Sequence, residues 1–164
     1  MKRFLSLFIL VSLILMSSFC SLTVSAASET VTFDYAGSCD WLIEVKNPET
    51  PSSTTSSKTF VISAVAVEGT IVTLYALNSE TNLYEKIYVD EVALESAVGA
   101  SGLYAQQIPL KEGMNNIMVY ATNGVDDEAV RLEINLLNES FLDKIKSFTV
   151  EITTEIANTL NLGA

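Results

Sequence analysis

Between residues 30 and 137 apolar and polar positions alternate in short runs separated by turn residues, the period-2 signature of strands with one buried face. Thr30–Tyr35 and Trp41–Lys46 are the first two runs, the second setting Trp41, Ile43 and Val45 against Leu42, Glu44 and Lys46. Its indole is a candidate for packing over a core edge. Residues 47–58 break the pattern: Pro48 and Pro51 cannot donate to a ladder, and the Ser/Thr cluster that follows favours a loop. Thr59–Val67 then places Phe60, Ile62, Ala64 and Ala66 on one face, and Glu68-Gly69 makes a tight turn into Thr70–Leu77. After a turn at Asn78–Asn82 come a strand at Leu83–Val89, a stretch Asp90–Ala100 that reads as loop or short helix, and a strand at Leu103–Leu110. Asn116–Thr122 and Ala129–Leu137 form the last pair across Asn123–Glu128, where Asn-Gly is a hairpin cue. In the final strand Val130, Leu132, Ile134 and Leu136 alternate with polar residues.

About seven short strands with a turn signal every 8–12 residues predict an antiparallel sandwich, and nothing alternates strand with helix as a parallel sheet requires. Past Leu137 the period changes. Phe141, Ile145, Phe148, Ile152 and Ile156 step by 4, 3, 4 and 4 residues and span about 80° of a helical wheel at ~100° per residue. The spacing predicts an amphipathic helix near 139–160, with Asn138 as N-cap and Ser140-x-x-Asp143 as a second capping box, although Thr149, Thr153 and Thr154 prefer strands. The five-residue stripe has two roles open to it: packing onto the sandwich, or docking a partner or a second copy. Lys144 and Lys146 are balanced by Asp143, Glu151 and Glu155, so it is not a basic membrane-surface helix.

The amino-terminal 26 residues have a different grammar. Lys2 and Arg3 precede an apolar run from Phe4 to Met16, and Val24-Ser25-Ala26 supplies a small-x-small site, so residues 1–26 read as a secretory signal with the mature chain starting at Ala27 or Ser28. The competing reading is an uncleaved anchor over Phe4–Val24. Phe19 before Cys20 is too large for a lipoprotein signal. The organisation is therefore a signal at 1–26, amino-terminal strands and a Ser/Thr/Pro-rich loop at 27–58, a β-sandwich at 59–137 and a helical tail at 138–164.

Three stretches carry a resemblance. Ser57-Lys58-Thr59-Phe60-Val61-Ile62-Ser63, Glu68-Gly69-Thr70-Ile71-Val72-Thr73-Leu74-Tyr75, and Ile108 to Ala121 with its Leu110-Lys111-Glu112-Gly113-Met114-Asn115-Asn116-Ile117 corner resemble the bacterial immunoglobulin-like domains of the glucodextranase-type group. The similarity covers residues 41–137 and departs at Ala64, where those domains have glycine. It implies an immunoglobulin-like β-sandwich of the kind found in exported bacterial enzymes and surface proteins, and carries over no catalytic residue. Independently of the family, Gly113 permits a turn, and the Asn115 side chain is placed to bond exposed backbone between adjacent strands.

Composition narrows the chemistry. The 164 residues include 20 acids, 9 Lys or Arg and no histidine. Imidazole catalysis and imidazole metal sites are thereby excluded. Loss of the signal removes Lys2 and Arg3 and no acid, taking the formal net charge from −11 to −13, which disfavours nucleic acid and anionic lipid as partners. Cys39 is then the lone cysteine, best placed as a small buried hydrophobe beside Trp41, with a reactive thiol or intermolecular link as the alternative. Asp126-Asp127-Glu128 beside Asn123-Gly124 offers oxygen ligands for Ca²⁺ but lacks the EF-hand register, so a solvated hairpin tip is expected; Asp90, Glu91 and Glu95 read the same way. No phosphate loop, Gly-x-Ser-x-Gly elbow or CxxC pair is present, and the Asn138-Glu139-Ser140 sequon is discounted in a bacterial-looking chain. No catalytic, cofactor or metal residue is assigned. The sequence thus predicts a secreted or cell-surface, non-enzymatic module with a structural or binding role, for a protein or cell-wall glycan partner or a second copy, and no membrane span once the signal is gone. The alternatives are a small carboxylate-dependent hydrolase and a protein-interaction subunit working through its terminal helix.

Overall fold

The structure is a computed structural model, described here for residues 27–161; the expected signal at 1–26, with its cleavage site and Cys20, lies outside the described residues. Among these residues the chain forms twelve strands and one helix: β1 (Thr30–Thr32), β2 (Ile43–Asn47), β3 (Ser52–Thr55), β4 (Thr59–Ala66), β5 (Ile71–Asn78), β6 (Leu83–Lys86), β7 (Tyr88–Val89), β8 (Val92–Ala93), β9 (Glu95–Ala97), β10 (Leu103–Pro109), β11 (Gly113–Thr122), β12 (Asp127–Leu136) and α1 (Glu139–Asn161). The fold is all-β apart from α1. A seven-stranded sheet runs β1-β6-β5-β11-β12-β3, with β9 also on β5, and a three-stranded sheet runs β10-β4-β2. All pairs are antiparallel except β12 with β3.

The alternation read from the sequence sets which faces meet. Ile62, Ala64 and Ala66 of β4, with Tyr104 and Ile108 of β10, share one buried cluster with Val72 and Leu74 of β5, Ile117, Val119 and Ala121 of β11, and Leu132 and Ile134 of β12. The two sheets therefore enclose a common core, and no disulfide is involved, because Cys39 is free and half-buried against that core. The Asn115 corner is as expected: its Nδ2 donates to the carbonyls of Lys111, Gly113 and Ile134 and its Oδ1 accepts from the Lys111 amide. At 2.8–3.1 Å these four bonds tie the β11 start to β12.

Four expectations are corrected. The 47–58 stretch is not all loop: β3 lies parallel to β12, Ser52 opposite Glu133 and Thr55 opposite Leu136. The Pro51 carbonyl accepts from the Glu133 amide at 2.7 Å, and proline is tolerated because β3 is an edge. Trp41 does not cover the core edge. It is 55% exposed, while Leu42 and Ile43 are both buried, because the alternation begins only where β2 does. Asp90–Ala100 contains no helix. Asp90 and Glu91 both take positive φ (50° and 66°) in a two-residue turn that pairs Val89 with Val92, and β8 and β9 follow. Finally, β5 is buried on both sides, Val72 and Leu74 in the shared core and Tyr75 in a second cluster with Tyr84 and Met118.

That second cluster explains the amino-terminal segment. Ala27 and Val31 pack against it, and Tyr75 Oη donates to the Ser28 carbonyl at 2.6 Å. Phe33 stacks on Tyr84 with centroids 6.1 Å apart, and the Arg131 guanidinium lies over the Phe33 ring and donates to the carbonyls of Phe33 and Tyr35. Residues 27–35 thus form a strap across the outer face of the large sheet.

Candidate functional site

The carboxylates are the first candidates for chemistry, and the fold employs several of them as fasteners. Glu128 is buried; its Oε2 accepts from the backbone amides of Leu42 and Ile43 at 2.8 and 3.1 Å. The donors sit at the start of the edge strand β2, Ile43 in it and Leu42 just before it, so the carboxylate stands in for a ladder partner there. The Asp127 backbone oxygen accepts from the amides of Ser38 and Cys39, its amide donates to Ser38 Oγ, and its carboxylate accepts from Tyr35 Oη. Gly37, at φ +80°, passes so close that a Cβ there would lie 2.8 Å from both Asp127 O and Glu128 Cα. The expected solvated tip is corrected accordingly: residues 123–125 are the exposed part of the turn, Asp126 is half-buried, and Asp127 and Glu128 clasp the 35–43 segment. A run of three acids after Asn-Gly gives no sign of this, because the partner amides are far away in sequence.

A second cluster surrounds Lys86, a residue the sequence pattern passed over. Its buried ammonium donates to the Ala27 carbonyl at 2.8 Å and pairs with Glu95 at 3.3 Å and Glu29 at 3.4 Å. Glu95 also accepts from Thr73 Oγ1, and Glu29 accepts from Tyr88 Oη. Burial alone would lower the Lys86 pKa, but the bonds to Glu95 and Glu29 outweigh it and hold it above its ordinary value. The Tyr88 hydrogen bond, followed by Lys86, keeps the Glu29 carboxyl below its ordinary value. Among the described residues no group of three or more Cys, Asp or Glu side chains is arranged to hold a metal ion.

The five stripe residues stand apart from the inward-facing rows of the two sheets. The helix forms over Glu139–Asn161, its first turn capped by Asn138, whose Oδ1 accepts from the Ser140 amide at 2.7 Å. Asn138 Nδ2 also reaches Glu112 at 3.1 Å, joining the helix root to the corner before β11. Thr149, Thr153 and Thr154 fit the helix because each hydroxyl donates to the carbonyl four residues back. Phe141, Ile145, Phe148, Ile152 and Ile156 share one face, all exposed, from 42% at Ile152 to 63% at Phe148. Packing onto the chain's own β-domain, the first role considered for the stripe, is therefore not seen. At its root the stripe runs into a groove of about 520 Å³ lined by Gly113, Leu136, Leu137, Asn138 and Phe141. A smaller groove of about 440 Å³ is lined by the exposed Trp41 together with Asp40, Glu44, Val65 and Val67. No described helix is long and apolar enough to cross a membrane. No family model, curated protein or solved structure matches the chain.

Proposed function

We propose that this is an exported, non-enzymatic module with an immunoglobulin-like β-sandwich of the glucodextranase-type group, acting at the cell exterior by docking, with α1 as its docking element. The observation that carries this reading is the exposed apolar row of α1, on a helix whose root is joined to the β-domain through Asn138 and Glu112. Leaving five large apolar side chains in water on one face is unfavourable unless that face meets something. The acids support the same reading from the other side. Glu128, Asp127 and Glu95 are committed to backbone amides, a tyrosine, a threonine and a lysine, so these three are held as structural partners rather than as the free carboxylate pair a hydrolase would need. Trp41 favours a glycan as a second partner, since an exposed indole at the rim of a groove offers a flat apolar face for a sugar ring.

The test is retention on the cell envelope of a host secreting the chain. Wild type is expected to be retained, Ile152→Asp to be released to the medium, and Trp41→Ala to lose only the glycan-dependent part. A parallel screen on polysaccharide and ester substrates includes Asp126→Ala/Asp127→Ala. Turnover that this double variant abolishes would replace the docking reading with the hydrolase one.

A further inference from the structure

The stripe has more order than a merely sticky face requires. The steps of 4, 3 and 4 from Phe141 to Ile152 place Phe141 and Phe148 at d positions, and Ile145 and Ile152 at a positions, of consecutive heptads. Lys144 and Glu151 then occupy the g positions bordering the seam. Two such helices side by side in the same direction set g against e, which here puts Lys144 opposite Thr149 and Glu151 opposite Ile156, with no opposite charges meeting. Run in opposite directions, g faces g, and Lys144 of each copy meets Glu151 of the other. The charges are self-complementary in the antiparallel arrangement alone.

Register supplies a second argument. When Ile145 lies level with Phe148 of the other helix, Phe141 lies level with Ile152, giving four apolar layers, and Ile156 falls level with Leu137. Leu137 lines the groove at the helix root, which opens next to Phe141. The far end of one stripe thus arrives at the cavity where the other begins. The antiparallel direction also puts the two β-domains at opposite ends of the helix pair.

We propose that the occupant of the α1 stripe is a second copy of this chain, the two helices packing antiparallel with Ile156 of each in the root groove of the other. The proposal rests on the docking reading and names its partner. It is tested by sedimentation equilibrium on the exported full chain. Wild type is expected to dimerise, and Ile152→Asp to weaken dimerisation by roughly a hundredfold or more, with the melting of the β-domain unchanged. Lys144→Glu and Glu151→Lys should each weaken it roughly five- to thirtyfold, and the double variant should regain wild-type affinity. Rescue by the double exchange is an outcome that a merely helix-stabilising role does not produce. Two single variants without effect, or a double variant that fails to recover, overturn the antiparallel pair. A wild-type chain that stays monomeric yet is retained on the envelope through Ile152 overturns the second copy and leaves the docking reading standing. A monomer that is not retained removes both.

Discussion

At the scale of single residues, the most consequential positions are those that join the two ends of the chain. Glu128 gives its carboxylate to the Leu42 and Ile43 amides, so Glu128→Ala leaves two poorly solvated donors without a partner. A loss of about 2–4 kcal/mol is expected, read as a fall in Tm of roughly 10 °C, and Glu128→Gln should recover part of it because its amide oxygen still accepts. Gly37 carries two demands at once, a positive φ and room for the Asp127–Glu128 backbone. Gly37→Ala should therefore cost about 2–4 kcal/mol in urea unfolding, more than an alanine costs at a glycine where only the dihedral matters. Neither residue announces itself in the sequence. Glu128 sits in a run of acids that reads as solvated, and Gly37 lies in a polar stretch with no periodicity. What makes each important is a neighbour brought in by the sheet.

Elements were legible wherever a period was long enough to assert itself. The inward row of β4, the β11–β12 hairpin and the α1 stripe are where the alternation or the 3.6-residue period places them. Failures came where partners decide. β3 is four Ser/Thr residues with no apolar face to read, and it is a strand because the β12 edge offers it hydrogen bonds. The second face of β5 was hidden for a related reason: the cover over Tyr75 is the 27–35 strap, not another sheet. The candidate site was half legible, since the stripe residues could be named but not whether they lay against the β-domain. Their exposure makes a prediction for the element as a whole. Truncation after Leu137 should change the unfolding free energy of the β-domain by less than ~0.5 kcal/mol at low protein concentration, where assembly adds nothing. A larger loss in a denaturant titration would mean that α1 packs at home.

For the whole molecule, pH is the informative variable. Lys86 is held above its ordinary value of 10.5, so it keeps its proton in the fold at a pH where the unfolded chain has lost it. Burial raises Tyr75 and Tyr104 above their ordinary value of 10.0. Both effects have the same sign: above about pH 10 the unfolded state binds fewer protons than the native one, and stability falls as pH rises. Tm should therefore hold steady through neutral pH and drop beyond about pH 10, with the tyrosinate absorbance of Tyr75 and Tyr104 appearing only as the fold is lost. Early ionisation of all the tyrosines in the native state would contradict the burial of Tyr75 and Tyr104. Melts with and without chelator or reductant should superimpose, as expected of a core that holds no disulfide.

The clasp on residues 35–43 also dictates an order of assembly. Its bonds span 86 residues from Leu42 to Glu128 and 92 from Tyr35 to Asp127, and the strap's bond from Phe33 to Arg131 spans 98. A chain emerging amino end first, from a ribosome or through a pore, presents the strap and β2 long before their anchors exist, and closing so long a loop early carries entropy with no reward. The leading third must wait, open and threadable, until β12 arrives. A series of chains of increasing length should show this as a step: those ending at Thr122 digested along their whole length by protease, those ending at Leu137 abruptly resistant.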